Sequence, residues 1–269
     1  MVFEQLFRAQ WVYKKQHAFI LALFYSVLGI VSARLIFPSN TGLMSIAFTS
    51  ILLIPSLAEL LRIETDEELE PGPFSFRRLW NDHSDIFQVY VFLFLGIFVA
   101  YSAAMLLMPQ LRAEQLFGAQ LQAAGIRGQA VFTGKMLSLL LNNALVFIVA
   151  FVLSLVYGAG AVLFLTWNAS VWGIVFSFFI RRAAVASGED PVVAFWRELV
   201  PFLPHMVTEG AAYIGAAIVG GIVSKAVLRE DVGSERFNRV LKDALVFLVI
   251  GLVLVMIAGF VELKWYAGR

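Results

Sequence analysis

Long apolar runs decide what this chain can fold into. About 20 mainly apolar residues suffice to cross the hydrocarbon core of a bilayer as a helix. Seven stretches meet that length, at approximately 18–36, 41–61, 86–108, 136–157, 159–180, 202–227 and 241–263. Lipid offers no partner for a free backbone N–H or C=O, so a spanning segment is a helix or a strand of a closed barrel. None of these runs alternates polar with apolar residues as barrel strands do. The fold expected is all-α: a polytopic transmembrane helical bundle of about seven spans, or six if one run does not cross, with short amphipathic helices in the interface. Composition agrees, because charged residues make up 14% of the chain against about 25% in an average soluble domain. Too few are present to coat a surface facing water.

The same composition excludes several functions. A net charge of +1 leaves no basic stripe to neutralise phosphates, so no nucleic-acid partner is expected. Cysteine is absent, which removes disulfides, thiolate metal sites and cysteine nucleophiles together. No Walker-type glycine loop is present for ATP chemistry. No GxSxG or serine–lysine pair is present for nucleophilic catalysis. The N-terminal stretch "MVFEQLFRAQWVYKKQ" lacks the apolar core and cleavage site of a secretory signal.

The connections carry local signals. Residues 1–16 interleave Phe3, Leu6, Phe7 and Trp11 with Glu4, Arg8, Lys14 and Lys15, which predicts an interfacial amphipathic helix ahead of a single transmembrane domain over 17–269. Five of the seven residues 64–70 are acidic; with no EF-hand spacing, a solvated loop is expected and no metal site. Ser84 or Asp85 is placed to cap the third span. Leu111, Leu116, Phe117 and Leu121 recur at helical spacing, predicting a second interfacial helix. Asp190 followed by Pro191 marks the start of a third, surface-lying helix over 187–200 that leads into Pro201. With seven spans, Lys and Arg divide 11 to 9 between the two sides, the larger share on the side of the N-terminus. That balance tilts the expectation to a cytoplasmic N-terminus.

Polar residues inside the spans are the candidate site. An ionisable residue at membrane depth costs a few kcal/mol on insertion scales, so it should face the bundle and find a partner. Asn142 and Asn143 open the fourth span, Asn168 lies in the fifth, and His205 and Glu209 open the sixth. Four residues apart, His205 and Glu209 share one helix face. Pro204 suits the first turn of a helix, where its missing N–H costs nothing, so it is read as the helix start. In that setting the macrodipole would stabilise an anionic Glu209 and disfavour a protonated His205. Farther along, Ala212, Ala216, Gly220 and Ser224 fall at i+4 spacing. They make a small-residue ridge that lets another helix approach closely. The five polar residues either cross-link the fourth, fifth and sixth spans or line a pocket for a proton or substrate.

These residues resemble a known family. "LPHMVTEGAAYIGAAIVGG" is similar to the "PHG-x-x-E-x-P-A" signature of the stage II sporulation protein M (SpoIIM) family of integral membrane proteins. Upstream, Asn142-Asn143, the turn at Gly158-Ala159-Gly160 and "WNASVWG" look like its Asn-rich span and its "N-G-x-x-G" element, so the family-like core covers about 136–227. The resemblance implies that Asn143, Asn168, Pro204, His205 and Glu209 are signature positions. Its namesake scaffolds peptidoglycan-degrading partners in spore formers. The role type implied here is a membrane platform that positions envelope or membrane-remodelling proteins, with a homo-oligomer as an alternative partner. The function expected is a non-enzymatic cell-membrane scaffold with no catalytic residues, metal or cofactor. The alternative is a transporter or channel using the Asn/His/Glu cluster. A third class is an intramembrane enzyme.

Overall fold

The computed structural model describes residues 14–66, 76–123, 136–158, 162–188 and 190–267. The interfacial helix expected over 1–16 falls almost wholly outside them, as do the second half of the acidic stretch and the residues following 123. The described residues form nine helices and no strand: α1 (Lys15–Ile36), α2 (Thr41–Asp66), α3 (Phe76–Leu107), α4 (Gln110–Leu116), α5 (Gly118–Ala123), α6 (Met136–Tyr157), α7 (Val162–Ser187), α8 (Pro191–Arg229) and α9 (Glu235–Ala267).

Six of these, α1, α2, α3, α7, α8 and α9, contain stretches long and apolar enough to cross a membrane. The described apolar part of α6 is shorter, Asn143–Tyr157. The directions of its neighbours show what α6 must do. Phe94 meets Trp172 and Phe98 meets Phe176, and Arg181 bonds the carbonyl of Met108, so α3 and α7 run parallel. The chain between them has to return to the opposite end of the bundle. α6 supplies that return, and at about 1.5 Å per residue its 22 residues are long enough to do so.

α8 is the axis of the bundle. Of an 18-residue apolar window within Leu203–Leu228, 71% is buried, against 28% of the corresponding window within Glu235–Val261 on α9. It packs against α6, α7 and α9 and touches α2 and α3. The small-residue ridge explains how closely α6 approaches. A Cβ on Gly220 would sit 2.6 Å from both the Phe151 carbonyl oxygen and Ser154 Cβ. Ala212 and Ala216 pack with Phe147 and Ala150 of α6. The Ser154 hydroxyl donates to the Ala217 carbonyl across the same seam. α9 lies along the other flank of α8, with Val255 in the same cluster and Gly251 against the Phe147 ring.

Three local expectations are corrected. Pro204 is not a helix start: α8 begins at Pro191 and carries Pro201 and Pro204 in its interior. The N-terminal signals were real, since the Asp190 side chain accepts from Val192 N–H at 2.7 Å with Pro191 in the first turn. The helix simply continues through both prolines into the membrane, where neighbouring helices and hydroxyls can satisfy the freed backbone groups. The surface helix over 187–200 and the sixth span are therefore one 39-residue element. Likewise, α3 starts at Phe76, so Ser84 and Asp85 lie within it and do not cap it.

The segment after α3 is not one helix on the surface. It breaks at Phe117 into α4 and α5, with Ala113, Phe117, Gln120 and Leu121 fully buried and Leu111 exposed. Phe117 meets the Tyr101 ring edge-on. The Gln120 amide donates to the Gly42 carbonyl at 3.2 Å. The same carbonyl accepts from Ser45, whose hydroxyl takes a 2.9 Å bond from Tyr101. This chain of buried polar groups ties α2, α3 and α5 together at one end of the bundle.

Candidate functional site

The site is built by α8 immediately after its second interior proline. His205 and Glu209 are both buried, and His205 Nε2 lies 2.7 Å from Glu209 Oε2. Their i, i+4 spacing brings the side chains together on one helix face, as expected. A further turn along, the Tyr213 hydroxyl donates to Glu209 Oε1. Tyr213 was missed by sequence reasoning, although the same i+4 step from Glu209 would have found it. Its ring packs edge-on against Phe164 of α7, with centroids 5.8 Å apart.

The link to another helix runs to a different neighbour than expected. His205 Nδ1 lies 3.2 Å from the carbonyl oxygen of Ala258 on α9. A carbonyl can only accept, so Nδ1 carries the hydrogen and donates it. A helical carbonyl has a second lone pair for such a bond. No sequence feature marks a backbone acceptor inside an apolar span. Of the residues expected to join the cluster, Asn168 turns back on its own helix, where its amide donates to the Phe164 carbonyl at 2.9 Å. Asn143 is buried on α6, one turn before the Phe147 that packs with Ala212 and Tyr213. Asn142 shares that helix, and its side chain lies outside the described set. The ridge residues Ala212, Ala216, Gly220 and Ser224 continue from the cluster toward the far end of the bundle. Ser224 reaches Gly158 at the end of α6, its hydroxyl 3.8 Å from where a Cβ there would sit.

Donor and acceptor counting fixes the proton inventory. With Nδ1–H given to Ala258 and Tyr213 O–H given to Oε1, the contact between Nε2 and Oε2 needs one proton. Whether that proton sits on nitrogen or oxygen, the pair has no net charge, which suits a buried position where an isolated charge is costly. The helix N-terminus plays no part in this. Glu209 lies about five turns from Pro191, and the field of a helix terminus fades within its first turn.

Beside the cluster is a crevice between α3, α7 and α8, lined by Phe94, Asn168, Trp172, Gly210 and Tyr213 among others. It offers about 10 Å³, the room of a single water molecule.

A bundle of apolar helices around a buried, internally paired His–Glu–Tyr cluster defines the class: a polytopic integral membrane protein. The sequence model of the stage II sporulation protein M (SpoIIM) family matches residues 88–264, about two thirds of the chain, and the protein belongs to that family. The match is wider than the 136–227 core seen in the motifs. It begins in α3 and ends in α9, so it takes in the Ala258 carbonyl that receives His205 and leaves out α1, α2 and the first turns of α3. Neither the curated proteins nor the solved structures compared with this chain include a match.

Proposed function

We propose that the protein is a non-enzymatic scaffold of the cell membrane that holds or recruits envelope or membrane-remodelling proteins, or further copies of itself. The observation that carries this reading is the closure of the polar cluster. Both oxygens of Glu209 and both ring nitrogens of His205 are engaged within the bundle. The cluster thus spends its polarity on fixing α8 against α9. Surfaces for partners are ample: α9 and the first turns of α8 carry long exposed apolar faces, including Val192, Trp196, Val200, Leu245, Val249 and Val253. The slight excess of Lys and Arg on the side of the N-terminus supports a cytoplasmic N-terminus. Purification of the tagged protein in a gentle detergent is expected to recover a stable complex, with envelope proteins or with itself. Recovery of monomer alone would remove the basis for the proposal.

One observation favours a transporter instead. Asn168 and Tyr213 share a crevice, and a wider form of it would bring water to Glu209. That reading requires a solute or proton flux that Glu209→Gln abolishes while the fold persists. The scaffold reading expects every such flux to be unaffected.

A further inference from the structure

The cluster lies at a joint in α8. Each of Pro201 and Pro204 removes one i→i−4 backbone bond and leaves a carbonyl one turn back without its donor, the usual cause of a bend in a helix. Just past this joint, the Thr208 hydroxyl donates to the Pro204 and His205 carbonyls. N-terminal to the joint lies the arm, residues 191–202. On α7, Trp172 packs beside Gly210 and Phe176 meets Phe195. Phe195 on the arm and Gly210 on the body of α8 thus both lie against α7. Its residues Val192, Trp196 and Val200, with Leu203 between the prolines and Val207 beyond them, form an exposed stripe at helical spacing. Just past the joint, the bond from His205 to the Ala258 carbonyl ties the body of α8 to α9.

We propose that the His205–Glu209 pair is a proton-sensitive latch that holds α8 to α9 at the base of this arm. The pair closes with one proton between Nε2 and Oε2. A second proton, taken from water, sets an N–H against an O–H at 2.7 Å and leaves a buried cation. Loss of the single proton to water sets a nitrogen lone pair against a carboxylate. In both cases the contact opens, His205 is released from its fixed rotamer, and the arm is free to pivot about Pro201 and Pro204. The groups that meet the pair or its partner are Tyr213 on α8, the Ala258 carbonyl on α9, and Phe164 of α7 against the Tyr213 ring. Tyr213 is the only titratable group among these described side chains. α9 carries another carboxylate four residues beyond Ala258, Glu262, which the test must separate. The latch is independent of what the protein recruits.

The absence of native cysteine allows the full chain to be spin-labelled at Trp196→Cys on the arm and Val253→Cys on α9, both exposed. Distance distributions are then measured in lipid nanodiscs from about pH 4 to pH 10, a range that brackets the unperturbed carboxylate and imidazole values. The labelled wild type is expected to show one narrow distribution at intermediate pH and a second, displaced one toward the acid and alkaline extremes. The double variant His205→Gln/Glu209→Gln is expected to hold one distribution throughout, and Glu262→Gln to behave as the wild type. A pH-independent wild type, an equal shift in the double variant, or loss of the shift in Glu262→Gln alone would each overturn the proposal. Should the double variant not fold, Glu209→Gln alone decides. It is expected to lose the alkaline displacement, and its retention would overturn the latch.

Discussion

The Gly220 seam allows the packing account to be tested with a pair of matched substitutions. A Cβ at Gly220 would meet Phe151 O and Ser154 Cβ at 2.6 Å and Leu155 N at 3.0 Å, whereas ordinary contact begins at 3.4 Å. Two of the three obstructing atoms are backbone, so α6 as a whole would have to retreat by most of an ångström. Overpacking of this kind costs about 1–3 kcal/mol. The retreat also stretches the bond from Ser154 to the Ala217 carbonyl, a further ~1 kcal/mol. Against this, alanine gains up to ~1 kcal/mol over glycine in helix propensity. Gly220→Ala is therefore expected to be destabilising by about 1–3 kcal/mol. Gly215 sits on the same helix, and a Cβ there would have nothing within 4 Å, so Gly215→Ala keeps only the propensity gain. Thermal unfolding of both variants in one detergent, followed by intrinsic tryptophan fluorescence, measures the difference. Equal stability of the two would refute the claim that α6 and α8 meet backbone to backbone at Gly220.

Two further outcomes follow from the geometry. Glu209→Ala leaves His205 Nε2 and the Tyr213 hydroxyl without the partner they share, at about 1–3 kcal/mol for the unsatisfied groups; a thermal-shift assay should register the loss, and Tyr213→Phe should cost less because it removes one donor and leaves the His205 contact intact. The role of α6 as a seventh crossing places Asp231, between α8 and α9, on the opposite side from Ser39, between α1 and α2. An impermeant thiol reagent acting from one side should label Ser39→Cys and Ala123→Cys together and spare Asp231→Cys, whereas labelling of all three from the same side would mean that α6 does not cross.

How much of this was legible depended on whether the cause was local. The existence of the spans follows from runs of apolar side chains, and the pairing of His205 with Glu209 follows from one turn of helix. The ridge from Ala212 to Ser224 follows from spacing alone, because only small residues at i+4 permit a close approach. The beginning of α8 was misread for an equally physical reason. Asp190-Pro191 and Pro204 each satisfy the local rule for a helix start, and only the surrounding bundle decides that the chain stays helical through the second. The link from His205 to α9 was invisible, since its acceptor is a backbone carbonyl that every residue possesses. The chain of bonds through Gln120, Gly42, Ser45 and Tyr101 escaped notice because each residue alone is ordinary and the two bonds that join helices span 56 and 78 positions.

The central claim is that the His205–Glu209–Tyr213 cluster fastens helices and does not face water. Gly210 and Asn168 line the crevice beside it, and a side chain at 210 would meet Trp172 at an ordinary 3.5 Å, so cysteines at both positions can be accommodated. The direct measurement is the rate at which a water-soluble thiol reagent modifies Gly210→Cys and Asn168→Cys in intact membranes, compared with Ser39→Cys in the exposed turn. The account predicts that both crevice positions react as slowly as a cysteine placed at Val249, exposed within the apolar stretch of α9. Modification at a rate near that of Ser39→Cys would show a water path to Glu209 and contradict it.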